Sequence, residues 1–428
     1  MKPLRLLVPL LLALVLSGMA AAQDDMWDDE EWGDEEEASR WSGFAEAGFG
    51  ARFSRDPLLS NRDTLEELRW RLESEWQPGK LAISLKGDVV YDGISDSLEG
   101  DVRDLTAAFT VGSSLDVKLG RQVQTWGTGD LVFLNDLFPK DFLSFFAGRD
   151  DEYLKAPGNA LRLTRFSPLV NVDFVWTPEF APDIYLTGER FSFFSPPAGG
   201  NVAPRPPLHA LEPESSLSNS ELALRLFKNV DGREYAVYLY DGFFKQPTAL
   251  TQSLQPTFAP MTSIGASVRQ ALGRGLINIE TSRYLSRDDR NGSNPLIPND
   301  QLRVLVGYEW EARANLTVGL QYYLEATLDH GALIANSPFP EYEPDEYRHV
   351  ITNRLTYRAG RDQHTWSLFT FFSPSDRDFY LRPTYSYRRD DHWSITTGAS
   401  LFGGDKPYTF FSQLQDASNA YLRIRYNY

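Results

Sequence analysis

The chain has 428 residues, is 42% apolar and 13% aromatic, contains no cysteine and carries a formal charge of −17. Without cysteine there is neither a disulfide framework nor a thiolate metal site. Ten of the negative charges sit in the run DDMWDDEEWGDEEE at 24–37; setting these aside with Lys2 and Arg5 ahead of them leaves about −9 for the rest, which argues against nucleic acid as a partner.

Residues 1–22 open with Lys2 and Arg5, continue through an apolar run from Leu6 to Leu16 and end in Ala20-Ala21-Ala22. A charged start, a short apolar core and a small-residue exit make a cleavable secretory signal peptide. Residues 23–40 form an acidic extension that repels itself and has too little apolar surface to bury, so it is expected to be disordered and periplasmic. After residue 22 no apolar run approaches the roughly 18 residues of a membrane helix. An exported, aromatic, helix-poor chain is what a transmembrane β-barrel looks like, because its spans alternate in polarity and never form apolar blocks.

From Trp41 onward that alternation is nearly continuous. Leu68, Trp70, Leu72 and Trp76 interleave with Glu67, Arg69, Arg71, Glu73 and Glu75, a spacing that keeps charges wet only if the intervening face is dry. Similar segments follow near Leu81–Tyr91, Arg103–Val111, Leu115–Trp126, Ala160–Phe166, Val170–Trp176, Ser220–Phe227, Arg233–Phe243 and Thr262–Gln270. They continue near Leu276–Tyr284, Leu302–Trp310, Leu316–Thr327, Tyr347–Tyr357, Thr365–Phe372, Phe379–Tyr387, Trp393–Phe402 and Asn419–Tyr428. The expectation is an all-β fold, a transmembrane antiparallel β-barrel over 41–428 with about 18 strands and 16 as the alternative. Short turns such as 77–79, 112–113 and 272–273 alternate with longer loops at 54–66, 92–101, 127–159, 177–219, 245–259, 286–300, 328–345 and 403–418, with 373–376 as the tight exception. Short connections on one side and long ones on the other place the turns in the periplasm and the loops outside the cell.

The longest informative stretch is LGRQVQTWGTGDLVFLNDLFPKDFLSFFAGRDDEYLKAPGNALRLTRF, which leaves a strand at Trp126 and returns at Leu161. Trp126, Phe133, Phe138, Phe142, Phe145 and Phe146 are too apolar for water, so the loop is expected to fold inside the barrel and narrow it, with a lid over the rim as the alternative. This stretch resembles the third-loop region of general outer-membrane porins in Gly120, Arg121, Asp130, Asp136, Pro139, Asp141, Asn159, Ser167 and Pro168. Its Gly-Arg-Gln…Trp-Gly pattern is also similar to that of less characterised proteobacterial porin-like barrels. The terminal strand NAYLRIRYNY, with its apolar row ending at Tyr428, resembles the signature by which the barrel assembly machinery recognises such proteins.

The resemblance implies a pore constriction formed by Arg121, Asp130, Asp136, Asp141, Asp150 and Asp151. Strict alternation puts Arg121 on the greasy face with Leu119 and Val123, where a mid-depth charge costs about 2–4 kcal/mol, so either a bulge at Gly120 turns it inward, as the resemblance implies, or the strand takes another register here. Wet-face parity gives a basic lumen wall of Arg69, Arg71, Arg348, Arg354, Arg382, Arg423 and Arg425, opposed to the acidic loop so as to set a transverse field. Tyr238, Tyr240, Tyr323 and Tyr380 fall on the same wet faces, where rings can stack sugars. Only five histidines exist, no nucleophile elbow or phosphate loop appears, and no pairing suggests a zinc site, so neither catalysis nor a metal nor another cofactor is expected. The expected role is a channel in the bacterial outer membrane for passive or weakly selective passage of small solutes. Its expected partners are outer-membrane lipid, the assembly machinery and, as in many porins, a homo-oligomer. The alternative is an outer-membrane component of an envelope assembly that moves lipid or hydrophobic compounds and binds a periplasmic partner through 24–37.

Overall fold

The computed structural model describes residues 41–428; the expected signal peptide and acidic extension lie outside the described residues. The two-residue rhythm yields eighteen strands in a single sheet. In chain order they are β1 (Trp41–Arg52), β2 (Asp63–Trp76), β3 (Leu81–Asp92), β4 (Ser97–Val111), β5 (Leu115–Val123) and β6 (Pro157–Arg165). There follow β7 (Asn171–Thr177), β8 (Glu221–Val230), β9 (Arg233–Phe243), β10 (Pro260–Leu272), β11 (Gly275–Ser286) and β12 (Gln301–Arg313). The last six are β13 (Leu316–Thr327), β14 (Tyr347–Ala359), β15 (His364–Ser373), β16 (Asp378–Arg388), β17 (Trp393–Gly404) and β18 (Asn419–Asn427). Each pairs antiparallel with the next, and β18 pairs back onto β1 from Asn427 opposite Phe44 to Asn419 opposite Arg52, closing the barrel.

Alternation decides which face is which. On β2, Arg69 and Arg71 are 7% and 1% exposed while Trp70 between them is 52% exposed, so charge points inward and apolar surface outward. The same holds for outward Ile264, Ile279, Leu320 and Ile395. Only a lipid solvent makes such an inside-out arrangement favourable. A belt of rings rims the short-turn end: Trp41 meets Trp76 edge-on, Tyr308 stacks on Trp310, and Trp366 packs among Tyr357, His364 and Tyr385. Amphipathic rings favour that depth because one edge is dry and the other wet.

Two expected boundaries change. The loop expected at 92–101 is a tight turn at 93–96, because β3 and β4 keep pairing out to Asp92 opposite Ser97. The strand expected to run to Trp126 ends at Val123, since Gln124 and Trp126 already belong to the segment that turns into the lumen. The ladder between β3 and β4 slips between Lys86 and Gly87, leaving Arg103 as the extra residue of a bulge. Val102 and Leu105 both stay outward while Arg103 is 5% exposed and faces in.

Two long connections fill the interior. Residues 124–156 pass inside the barrel and contain helix α1 (Phe142–Ala147), N-capped by Asp141, whose carboxylate accepts from the Ser144 amide at 2.7 Å. Residues 178–220 cross the loop-side mouth. There Arg190 donates to Thr64 O at 2.7 Å and pairs with Asp92, Asn201 donates to Gln413 O at 2.8 Å, and Phe194 packs against Tyr342 and Tyr408. One apolar cluster joins Phe145 and Phe146 of α1 to Phe191, Tyr380, Phe402 and Phe411; a second joins Trp126 and Phe138 to Tyr238, Tyr240 and Met261. The inner loop is thereby packed against opposite arcs of the wall.

Candidate functional site

The segment from Gly127 to Asn135 is a loop within the loop, and a single wall residue gathers its two ends. Glu280 on β11 is 1% exposed. Its carboxylate accepts from the Thr128 amide at 2.6 Å and hydroxyl at 2.9 Å, and from the Asn135 amide and side-chain nitrogen, both at 2.9 Å. Gly127 has φ of +80°, and a Cβ there would lie 3.0 Å from the Glu280 carboxylate, so glycine admits this approach. Further along, Asp130 is pinned from both sides: Gln321 accepts from its amide at 2.7 Å and donates to its carbonyl at 2.8 Å, while Arg354 donates to its carboxylate at 2.5 and 3.0 Å. Between these anchors Leu131 is held at φ +57°, a left-handed conformation that costs an L side chain about 1–2 kcal/mol.

The return limb, 149–155, is bound by arginines. Tyr153 sits in a cage of three guanidiniums, Arg69 at 4.2 Å, Arg103 at 4.7 Å and Arg71 at 5.2 Å from its ring centre. Its hydroxyl donates to Asp88 at 3.0 Å and accepts from Arg71 at 2.6 Å. Burial pushes the Tyr153 phenol well above its ordinary value, so it stays protonated. Arg71 also pairs with Glu152, and Arg103 donates to the carbonyls of Glu152 at 3.0 Å and Lys155 at 2.8 Å. On the neighbouring arc, across the seam, Asp151 pairs with Arg382, and Asp150 pairs with Arg423 at 3.1 Å and Arg425 at 3.4 Å. Burial raises the Asp150 carboxyl, but Arg423 and Arg425 outweigh it and hold the group below the usual carboxylate range.

The expected site residues therefore divide into groups. Asp130, Asp150 and Asp151 meet Arg354, Arg382, Arg423 and Arg425 directly, whereas Arg69 and Arg71 take Asp88 and Tyr153. The wall and the acidic loop are in contact rather than opposed across a gap, so their charges neutralise each other locally and the expected transverse field is not set up by these pairs. Asp136 and Asp141 serve the loop itself, Asp136 binding Lys140 at 2.9 Å and Thr125 at 2.9 Å, and Asp141 capping α1. Arg348 pairs with Asp376 of the turn after β15 at 2.6 Å rather than with the inner loop. Arg121 leaves the group: β5 runs without a register slip at Gly120, so Arg121 shares the outer face with Leu119 and reaches Val102 O at 2.5 Å and Asp101 at 3.8 Å. The neighbouring bulge instead delivers Arg103. Tyr238, Tyr240 and Tyr380 do face inward but are covered by the loop, which removes them as a sugar-stacking row; Tyr323 alone of the four lines open space. Tyr428 lies at the closing seam, exchanging backbone hydrogen bonds with Gly43 at 3.2 and 3.1 Å and donating to Arg71 O at 2.6 Å.

Two large cavities lie in the lumen among the described residues. One, of about 560 Å³, lies on the long-loop side and is lined by Phe133, Phe142, Phe244 and Phe371 together with Arg303 and Arg348. The other, of about 640 Å³, lies toward the short turns and is lined by Asp130, Asp151, Glu152, Arg269 and Arg354. Leu131 and Leu154 line both. Glu280, Arg103 and Gln321 are residues that sequence reading passed over; a carboxylate and an amide on inward strand parity were the available signal for Glu280 and Gln321, the bulge removed that signal for Arg103, and nothing local marked what the three hold.

A closed antiparallel barrel with lipid-facing apolar rows, an aromatic belt and a polar interior defines a transmembrane β-barrel of the bacterial outer membrane. No family model matches the sequence, and no curated protein matches it. Among solved structures, the chain is similar to OccK11 (OpdR) of Pseudomonas aeruginosa at TM-score 0.51 and 12% identity, covering 91% of this chain and 95% of that one. It is similar to OccAB3 of Acinetobacter baumannii at TM-score 0.51 and 12% identity, covering 91% and 98%. The likeness is one of fold: a porin-like barrel.

Proposed function

We propose that the protein is an outer-membrane channel for small solutes whose passage is set by the inner loop 127–158. One observation carries this reading: the two lumen cavities share Leu131 and Leu154 as common lining, so the apolar side chains of the loop stand between the outer and the inner water. An apolar constriction between wet chambers gates by dewetting, and its conductance depends steeply on side-chain size. The ion pairs at Asp130, Asp150 and Asp151 support the reading, since they fix the loop across the lumen instead of leaving it at the rim.

Planar-bilayer recording of the purified protein tests it. Stable single-channel openings are expected, with Leu131→Gly raising conductance severalfold and Leu131→Phe lowering it. Glycine removes the side chain and also accepts the positive φ without strain. Absence of openings, or equal conductance in all three proteins, would remove the loop from the path or the path from the protein.

A further inference from the structure

The outer cavity is unlike the inner one. In a lumen whose strand faces are otherwise rich in charge, it is walled by Phe133, Phe142, Phe145, Phe244, Phe371 and Phe410. Its volume of about 560 Å³ falls within the range of pockets that enclose small organic ligands, roughly 300–1,000 Å³. The charged side chains on its wall are already committed. Lys140 binds Asp136 at 2.9 Å, Lys245 binds Glu221 at 2.6 Å, Arg303 binds Glu325 at 3.2 Å and Arg348 binds Asp376 at 2.6 Å. Of the remaining carboxylates, Asp183 accepts from the Lys140 amide at 2.7 Å and from Gln246 at 2.8 Å, and Glu343 accepts from Ser337 at 2.6 Å.

An anion entering such a pocket loses hydration and finds each cation on its wall already paired; a neutral ring loses little and gains aromatic contact. Resting on the channel reading, we infer that the outer cavity is a binding site for a neutral, largely apolar ring compound, held above Leu131 and Leu154 before passage. Dispersion and edge-to-face contacts with the phenylalanines supply the affinity, and the ion-paired rim supplies rejection of anionic analogues.

The test uses the protein in phospholipid nanodiscs at neutral pH, with 1-naphthol as the neutral probe and 1-naphthoate as the anion of the same ring system. Binding by equilibrium dialysis is read as the excess over empty discs, which removes partition into lipid. Saturable binding of 1-naphthol is expected, with 1-naphthoate weaker by at least about tenfold. Ile297 lines this cavity from a loop, outside the strands, so Ile297→Trp and Ile297→Asp should each abolish the excess while the barrel stays folded, as judged by its heat-resistant mobility on gels. No excess, equal binding of the anion, or wild-type binding by folded Ile297 variants would overturn the inference. Conductance of the same preparations separates the two readings: openings without naphthol binding overturn the site alone, whereas naphthol binding without any opening supports the site and overturns the channel.

Discussion

Glu280 is the residue on which the inner loop turns. Four donors converge on one buried carboxylate, and no described salt bridge involves it, so its charge is balanced by the N–H and O–H dipoles of the segment it holds. Leaving a buried amide without an acceptor costs about 1–3 kcal/mol, and Glu280→Gln would do this at one or both ends of 128–135, since the new side chain offers one accepting oxygen in place of two. The cost falls on the loop rather than the wall, because β11 keeps its ladders to β10 and β12. Expected is a channel with unchanged thermal unfolding but noisier and more frequent openings, measured by calorimetry and single-channel recording on the same protein. Quiet, wild-type-like traces would mean that Asp130 and the arginine-bound limb suffice. Leu131 complements this picture: its left-handed backbone persists because the anchors on either side hold it.

The arginine-bound limb is an element with its own pH dependence. Asp150 has a folded value below its free one, so the stabilisation it contributes is fully present above the unfolded carboxylate value of about 4 and disappears as pH falls through the lower folded value. Conductance should therefore stay constant from neutral down past that unfolded value and rise only below it. Asp150→Asn should bring the looser state to neutral pH. Bilayer recordings between neutral and strongly acid pH check both; a rise that begins well above the free carboxylate range would assign the transition to another group. The strands around this limb were legible because alternation is local: Glu67 to Glu75 declares two faces without reference to any other segment. The partners of the limb were not legible, because Tyr153 meets Arg69 and Arg71 of β2 and Arg103 of β4 only after these two strands have closed around it. Arg103 was hidden further, since a bulge shifts parity by one residue and leaves no compositional mark. The same locality explains why Arg121 was read inward on resemblance, whereas its own alternation with Leu119 already pointed out.

For the molecule as a whole, closure and filling fall to different parts: the closed ladder makes the cylinder, and the inner loop occupies it. The seam is where the first and last strands meet, and Tyr428 is its final contact, exchanging two backbone hydrogen bonds with Gly43 and reaching Arg71 O across β1. A barrel has no free edge only if this seam forms, and an open edge in lipid leaves backbone groups without partners at several kcal/mol each. We propose that Tyr428 serves as a terminal aromatic signature as well as in closure; the two roles make separable demands. Closure needs the Tyr428 backbone and, secondarily, its hydroxyl; the signature needs a ring. Tyr428→Phe keeps the ring and loses only the bond to Arg71 O, so it should assemble in nearly normal yield. Tyr428→Ala keeps the backbone bonds to Gly43 and loses the ring, so it should lower the amount of heat-resistant barrel recovered from outer membranes several-fold. What does assemble should conduct like the wild type, because Arg71 keeps its guanidinium bonds to Tyr153 and Asp88 when the ring is lost. Equal recovery of both variants would reduce Tyr428 to an ordinary belt residue; normal recovery with altered conductance would mean that seam and loop are coupled through Arg71, whose guanidinium binds the limb while its carbonyl binds the chain end.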